Sequence, residues 1–261
     1  IPSESNVMCE TCQVSWWMML NLHLWRATGN TEFLDMAERI LYNHFAFSQA
    51  HRGEGGGFYA FGNIDQVVRG VHNYYCCDNE GTLGCLNLLQ HIYTQITENP
   101  IADINFFFDS EARLDIGGQE VRIRQTTDYP ERGYVKVSFG MQSPAKFILR
   151  FRIPKWTNIS SAMINGKSVD YKIKDSYLLI DRKWMNDDVL SIVFPMSMRV
   201  EADMTGIDLR SGAVRINGKN EPAKRLAVFY GPILSAMFRT GHGNDLSWVW
   251  TGDYTDVLDC G

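Results

Sequence analysis

Two short stretches carry side chains able to bind a metal or act as nucleophiles. "MCETC" sets Cys9 and Cys12 in a C-x-x-C with Glu10 between them, and "YYCCDNE" supplies the vicinal pair Cys76 and Cys77. Six cysteines admit a disulfide framework, yet a chain of 261 residues has core enough without one, and adjacent cysteines bond to each other only with strain. Thiolate sulfur together with nitrogen or oxygen favours zinc. A closed structural site would use Cys9, Cys12, Cys76 and Cys77. Exchanging Cys9 for Glu10 gives one oxygen and three sulfurs, and a metal-held thiolate can then serve as a nucleophile. Spacing leaves Cys9 and Glu10 tied as the fourth ligand, and the plain alternative is four small buried residues with no joint role.

The elements that must position these groups fall into two halves of different period. "VSWWMMLNLHLWRA", Val14 to Ala27, is apolar nearly all round, predicting a helix buried on most sides with Gly29 as its stop. Thr31 is placed to cap the next helix, "EFLDMAERILYNHF", with Phe33, Ala37, Ile40, Leu41 and Phe45 on one face. A third helix, "TLGCLNLLQHIYTQI", groups Leu83, Leu86, Leu89, Tyr93 and Ile96, and "HRGEGGGFYAFGN" between them reads as a glycine-rich loop. On this pattern alone Glu38 is a solvated helix residue and Tyr59 a loop aromatic.

Near Asn99-Pro100 the period becomes two. "GYVKVSF" and "KFILRFRIP" turn Val135, Val137, Phe139, Phe147, Leu149, Phe151 and Ile153 one way and Lys136, Arg150 and Arg152 the other. Asn165-Gly166 in "MINGKSV" is a hairpin turn, and "DVLSIVFP", "GAVRING" and "RLAVFYGPI" continue the short strands of an antiparallel sandwich. The reading is thus an α+β multidomain chain: a helical part over residues 1–98, a β-sandwich over 99–240, and an unassigned tail over 241–261. Three such apolar helices need more cover than two neighbours and a sandwich edge offer, either from further helices of a longer domain or by self-association through exposed helical faces.

Net charge −5 and a pI near 5.7 argue against a nucleic-acid surface, and no apolar run is long enough to span a membrane. No signal-peptide pattern opens the chain, which begins at Ile1 and is expected to be a processed or excised piece, leaving bacterial cytoplasm, periplasm and export all open. Seven Trp and eleven Tyr are compatible with a carbohydrate partner, though large aromatics are also ordinary core residues.

"ETC" (Glu10 to Cys12), "AERILYNHF", "GGFYAFGN" and "YYCCDNEG", followed in order by "FILRFRIPKW", "MINGKSV", "DRKWMNDDVLSIVFPMSMRV" and "LAVFYGPIL", resemble glycoside hydrolase family 127, the β-L-arabinofuranosidases, with the related family 146. The resemblance runs from residue 1 to about 240. It implies the C-terminal helices of a catalytic (α/α)6 barrel followed by an antiparallel β-sandwich, and a zinc ion held by Glu10, Cys12, Cys76 and Cys77. It also implies Cys76 as nucleophile in retaining hydrolysis of β-L-arabinofuranosides or related plant glycans, with Glu38 and Tyr59 at positions that contact the sugar. Here sulfur would replace one carboxylate of the usual retaining pair. "DNEG" after the cysteine pair departs from the family. The family's general acid/base falls upstream of the segment matched by "IPSESN", and Glu4 does not match it, so the isolated chain is expected to be inactive. The rival is a non-catalytic carbohydrate-binding or structural zinc protein.

Overall fold

A computed structural model describes residues 9–46, 48–49, 61–63, 68–69, 75–96, 99–203, 216–217, 221–222, 225–239 and 247–250. These residues form three α-helices and several antiparallel sheets, an α+β arrangement. The chain divides into two compact units, one of Ile1–Val14, Leu41–Gly81 and Ser197–Gly261, the other of Ser15–Ile40 and Thr82–Met196.

In the first unit, β1 (Cys9–Glu10) pairs antiparallel with β2 (Phe61–Asn63), which pairs with β3 (Val68–Arg69). Glu10 opposes Phe61 in this ribbon and leads straight into α1 (Thr11–Thr28). Gln13 Oε1 accepts the Glu10 N–H at 3.3 Å, one half of a capping box, so the residue before the helix is held by the helix's own first turn. At the far end Gly29 takes φ 72° and donates its N–H to Trp25 O at 2.7 Å, the left-handed stop its sequence position predicts.

Helix α2 (Glu32–Ile40) starts with the Glu32 N–H donating to Asn30 Oδ1 at 3.0 Å. The cap is therefore the Asn30 carboxamide rather than Thr31, because a short amide side chain reaches a backbone N–H two residues on. Ala37, Ile40, Leu41 and Phe45 are buried as predicted, and the helix widens into a π-helical turn at Leu41–Phe45. Within this first unit, Asn43 of that turn donates to Pro232 O and accepts from the Leu234 N–H. Helix α3 (Tyr75–Ile92) ends four residues earlier than the apolar pattern implies. Tyr93–Ile96 is instead strand β4, paired with β5 (Ile101–Ile104), and the Tyr93 hydroxyl bonds Ser110 Oγ at 2.8 Å. Two β-branched residues in this segment favour extended backbone once a strand is available to pair with.

The second unit holds the sandwich. Its strands are β6 (Ser110–Ile116), β7 (Gln119–Thr127), β8 (Tyr134–Met141), β9 (Ala145–Arg152), β10 (Ser161–Ile164), β11 (Lys167–Ser168), β12 (Lys172–Lys174), β13 (Tyr177–Trp184) and β14 (Val189–Val193). One sheet runs β11-β10-β14-β8-β7-β6 and the other β12-β13-β9-β5-β4. Only β5 and β9 pair in parallel among the described strands of these two sheets. The sheets meet on aromatic side chains, with Phe139 and Trp184 ring centroids 4.3 Å apart and Phe107 stacked on Phe151 at 4.9 Å. Val121, Ile123, Val135, Val137, Leu149 and Ile192 fill the space between, each buried side chain contributing roughly 1.5–3 kcal/mol. The Asn165-Gly166 turn is as predicted, both residues having positive φ (51° and 76°) between the paired ends of β10 and β11.

Two expectations about faces fail. Trp16, Trp17 and Leu20 of α1 stand exposed, as do Leu83, Leu86 and Leu89 of α3, while the buried side of α3 carries Leu88, His91 and Ile92. Arg152 was expected to point to solvent with Arg150, yet its side chain is 0% exposed. Acidic residues of α2 take up the charge. Arg152 donates to Glu38 Oε1 at 2.5 Å, to Asp35 Oδ1 at 2.8 Å and to Asn105 O at 2.6 Å.

In the first unit the chain continues through β15 (Met198–Asp203), the short pair β16 (Ile216–Asn217) and β17 (Glu221–Pro222), then β18 (Arg225–Tyr230), β19 (Ile233–Arg239) and β20 (Ser247–Trp250). The order β15-β18-β19-β20 is antiparallel throughout and draws part of the unassigned tail into a sheet.

Candidate metal centre

Glu10, Cys12, Cys76 and Cys77 all belong to the first unit, and one ligand atom from each lies within 4.8 Å of the other three. The reason is architectural. Glu10 closes the β-ribbon, Cys12 stands in the first turn of α1, and Cys76 and Cys77 stand in the first turn of α3. Helix N-termini present unpaired N–H groups and a positive dipole end, which favour thiolate over thiol.

Cys12 Sγ donates to Glu10 Oε2 at 3.1 Å, and Cys76 Sγ lies 3.9 Å from Cys77 Sγ. A tetrahedral zinc with bonds of about 2.3 Å to sulfur needs sulfurs roughly 3.8 Å apart, which the Cys76–Cys77 separation meets. The donor set fits as well, because three soft sulfurs and one carboxylate oxygen are zinc-type ligands. Burial, reinforced by the hydrogen bond to Glu10 and the nearby Cys77, pushes the Cys12 thiol up to about 12, and burial also raises Cys77. Cys12 and Cys77 are thiols at neutral pH unless a positive charge stands between them.

Burial differs among the four. Cys77 is buried, Cys12 and Glu10 are half-buried, and Cys76 is exposed. The backbone of Cys9 pairs with Gly62 in the ribbon. Gln13, which fixes the Glu10 backbone, was not singled out from sequence, though its spacing from Glu10 is that of a capping partner.

The two residues expected near a sugar fare differently. Tyr59 lies outside the described residues. Glu38, in the second unit, is not a solvated helix residue but 2% exposed, with Oε1 accepting from Arg152 and from Tyr129 Oη at 2.8 Å, and Oε2 accepting from Trp156 Nε1 at 3.2 Å. Its described partners are side chains of this chain.

The fold is that of solved glycoside hydrolases. It is similar to a GH127 β-L-arabinofuranosidase from Geobacillus stearothermophilus T6 (TM-score 0.70, 23% identity, 90% of this chain and 37% of that one). It is also similar to a GH127 β-arabinofuranosidase (TM-score 0.71, 23% identity, 88% and 37%) and to a structure described only as a glycoside hydrolase (0.69, 22%, 90% and 38%). The GH127 β-L-arabinofuranosidase catalytic-domain model matches residues 1–87, and the GH127 middle-domain model matches residues 102–196. The chain belongs to the GH127 β-L-arabinofuranosidase family. It spans a little over a third of the length of the solved relatives described above. Among curated proteins none matches.

Proposed function

We propose that this chain carries the zinc-thiolate part of a retaining glycoside hydrolase acting on β-L-arabinofuranosides or related plant glycans, with Cys76 as nucleophile. The observation that carries the reading is the convergence of Glu10, Cys12, Cys76 and Cys77 on one point in a chain of this family. Glu10, Cys12, Cys76 and Cys77 would hold the metal, which when bound supplies the positive charge that keeps the thiols deprotonated.

Cys76 is the member of the set open to solvent, as a nucleophile must be. Its sulfur forms a bond to the anomeric carbon as the bond from that carbon to the leaving oxygen breaks. A carboxylic acid gives its proton to the departing oxygen. Water then attacks the same carbon, loses a proton to the resulting carboxylate and displaces the sulfur, so two inversions leave the configuration retained. Cys12 and Cys77 would hold the ion beside Cys76, and Glu10 would supply the hard ligand. No residue of this chain is assigned as the acid.

In the same reading the three helices belong to an (α/α)6 barrel, whose other helices would cover Trp16, Trp17, Leu86 and Leu89. Self-association is the other way to cover them, and a monomer by light scattering at micromolar concentration argues against it. The non-catalytic alternative requires a closed structural site, which an exposed Cys76 does not favour.

The test is metal analysis with mass spectrometry and aryl β-L-arabinofuranoside turnover, in this chain and in a longer form carrying the upstream family region. Cys76→Ala should abolish sugar release and the pentosyl adduct in the longer form. Undiminished turnover in Cys76→Ala, or absence of bound metal from the wild type, would overturn the proposal.

A further inference from the structure

The outward face of the six-stranded sheet carries a cluster of polar side chains. At its β6, β7 and β8 end, Arg113, Gln119, Glu120, Arg122, Gly140 and Gln142 line a concavity of about 650 Å³, within the range of small-ligand sites. Arg113 on β6 and Arg122 on β7 are direct cross-strand partners, an arrangement of like charges that costs stability. Glu120 relieves it on one side only, sitting 3.9 Å from Arg113 Nη1. Arg122 has no hydrogen bond or ion pair among the described residues, in a protein whose net charge is −5.

The neighbouring strand makes room for that guanidinium. Arg122 opposes Gly140 of β8, and a Cβ built there would stand 3.0 Å from Arg122 Nε and 3.1 Å from Nη2. A side chain at this position would press on the guanidinium and push it from its place along the sheet by a few tenths of an ångström. The wall beside it is fixed by Gln119, which accepts from Ser143 Oγ at 2.8 Å and donates to Ser143 O. Gln142 is exposed, and its amide is uncommitted among the described residues.

We propose that this concavity is a carbohydrate subsite for an acidic sugar, a uronic acid residue. Its carboxylate accepts paired N–H bonds from Arg122, with Arg113 adding charge and the Gln142 amide meeting a ring hydroxyl. A planar fork over a glycine suits a planar carboxylate, and amides suit hydroxyls that both donate and accept. The sugar part of this proposal rests on the glycoside reading above, and the oxyanion part does not.

Titration calorimetry of the full chain with digalacturonic acid, with the neutral disaccharide galactobiose and with inorganic phosphate tests it. Digalacturonic acid should bind saturably and galactobiose at least tenfold more weakly, with affinity falling as salt is raised. Arg122→Gln, and Gly140→Val, which fills the guanidinium's seat while keeping both arginines, should each weaken binding at least tenfold. Arg124→Gln, which alters the arginine opposite Glu111 on the same face, should change it less than twofold. No saturable binding by the wild type, equal binding by Arg122→Gln, or equal binding of galactobiose would overturn the proposal. Phosphate binding as tightly as the disaccharide would overturn the assignment to a sugar. Because metal content and hydrolysis are read separately, failure of the Cys76 mechanism leaves a positive binding result standing.

Discussion

Arg152→Met is the substitution on which the structure makes its largest stability prediction. Arg152 is 0% exposed, holds Glu38, Asp35 and the Asn105 carbonyl, and lies against the rings of Phe106 and Phe107 at 5.4 and 5.6 Å. Methionine restores much of the volume and none of the charge. Glu38, 2% exposed, would keep only Tyr129 and Trp156 as donors for a buried carboxylate, whereas Asp35 is more open and still accepts the Lys155 N–H. Removing one partner of a buried pair costs about 3–5 kcal/mol, and most of that falls here on Glu38. At about 2–3 kcal/mol per molar urea the unfolding midpoint should drop by roughly 1–2 M, read by circular dichroism. Adding Glu38→Leu removes the stranded charge and should recover more than half of the loss, a coupling that two independent sites would not show. The exposed pair Lys155 and Glu32 is the control, and Lys155→Ala should leave the midpoint in place. An Arg152→Met loss below about 1 kcal/mol, or a double variant no better than the sum of its parts, would refute the reasoning.

Three further outcomes follow from the geometry. His91 is buried with Nδ1 2.6 Å from Asn87 O, and burial holds its pKa below the ordinary 6.5. Below that pH the unfolded chain therefore binds a proton the folded chain refuses; stability present above it should decline as pH falls, and His91→Leu should flatten the urea midpoint between pH 7 and 5 relative to wild type. Metal titration by competition with a chelator should show Cys77→Ser weakening zinc binding at least tenfold and Cys9→Ser leaving it within twofold, and the reverse order would return Cys9 to the ligand set. A Cβ at Gly133 would stand 1.9 Å from Phe194 O, so Gly133→Ala must move backbone and should cost about 1–3 kcal/mol in the same urea assay.

The two-residue period of β8 was legible, whereas the helical stripe of α3 put Leu83, Leu86 and Leu89 on the wrong face. Val135, Val137 and Phe139 face the core because alternation needs no knowledge of neighbours, and Asn165-Gly166 turns where its φ preferences demand. Arg152 breaks the same alternation. Its place between strand and helix is set by Asp35 and Glu38 more than a hundred residues earlier, a distance at which no local pattern operates. The end of α3 was hidden for a related reason, since Tyr93 and Ile96 suit a helix stripe until β5 is there to pair with them. At the candidate metal centre the residue types and spacings narrowed the ligands to a short set of alternatives, because cysteine pairs announce themselves. Their meeting in space depends on two helix N-termini and a ribbon that the sequence shows only in pieces.

The parallel pairing of β5 with β9 sets a schedule for synthesis. Ile101 finds its partner at Ile148, so the strand that follows α3 and β4 leaves the ribosome well before the one that covers it. Until residues through Arg152 have emerged, β5 presents an open hydrogen-bonding edge bearing Ala102 and Ile104, both buried in the finished sheet. Nascent chains stalled in that interval carry the exposed edge from which intermolecular β-pairing starts. Arrival of β9 closes that edge and, in the same stretch of chain, delivers the arginine that neutralises the acids of α2.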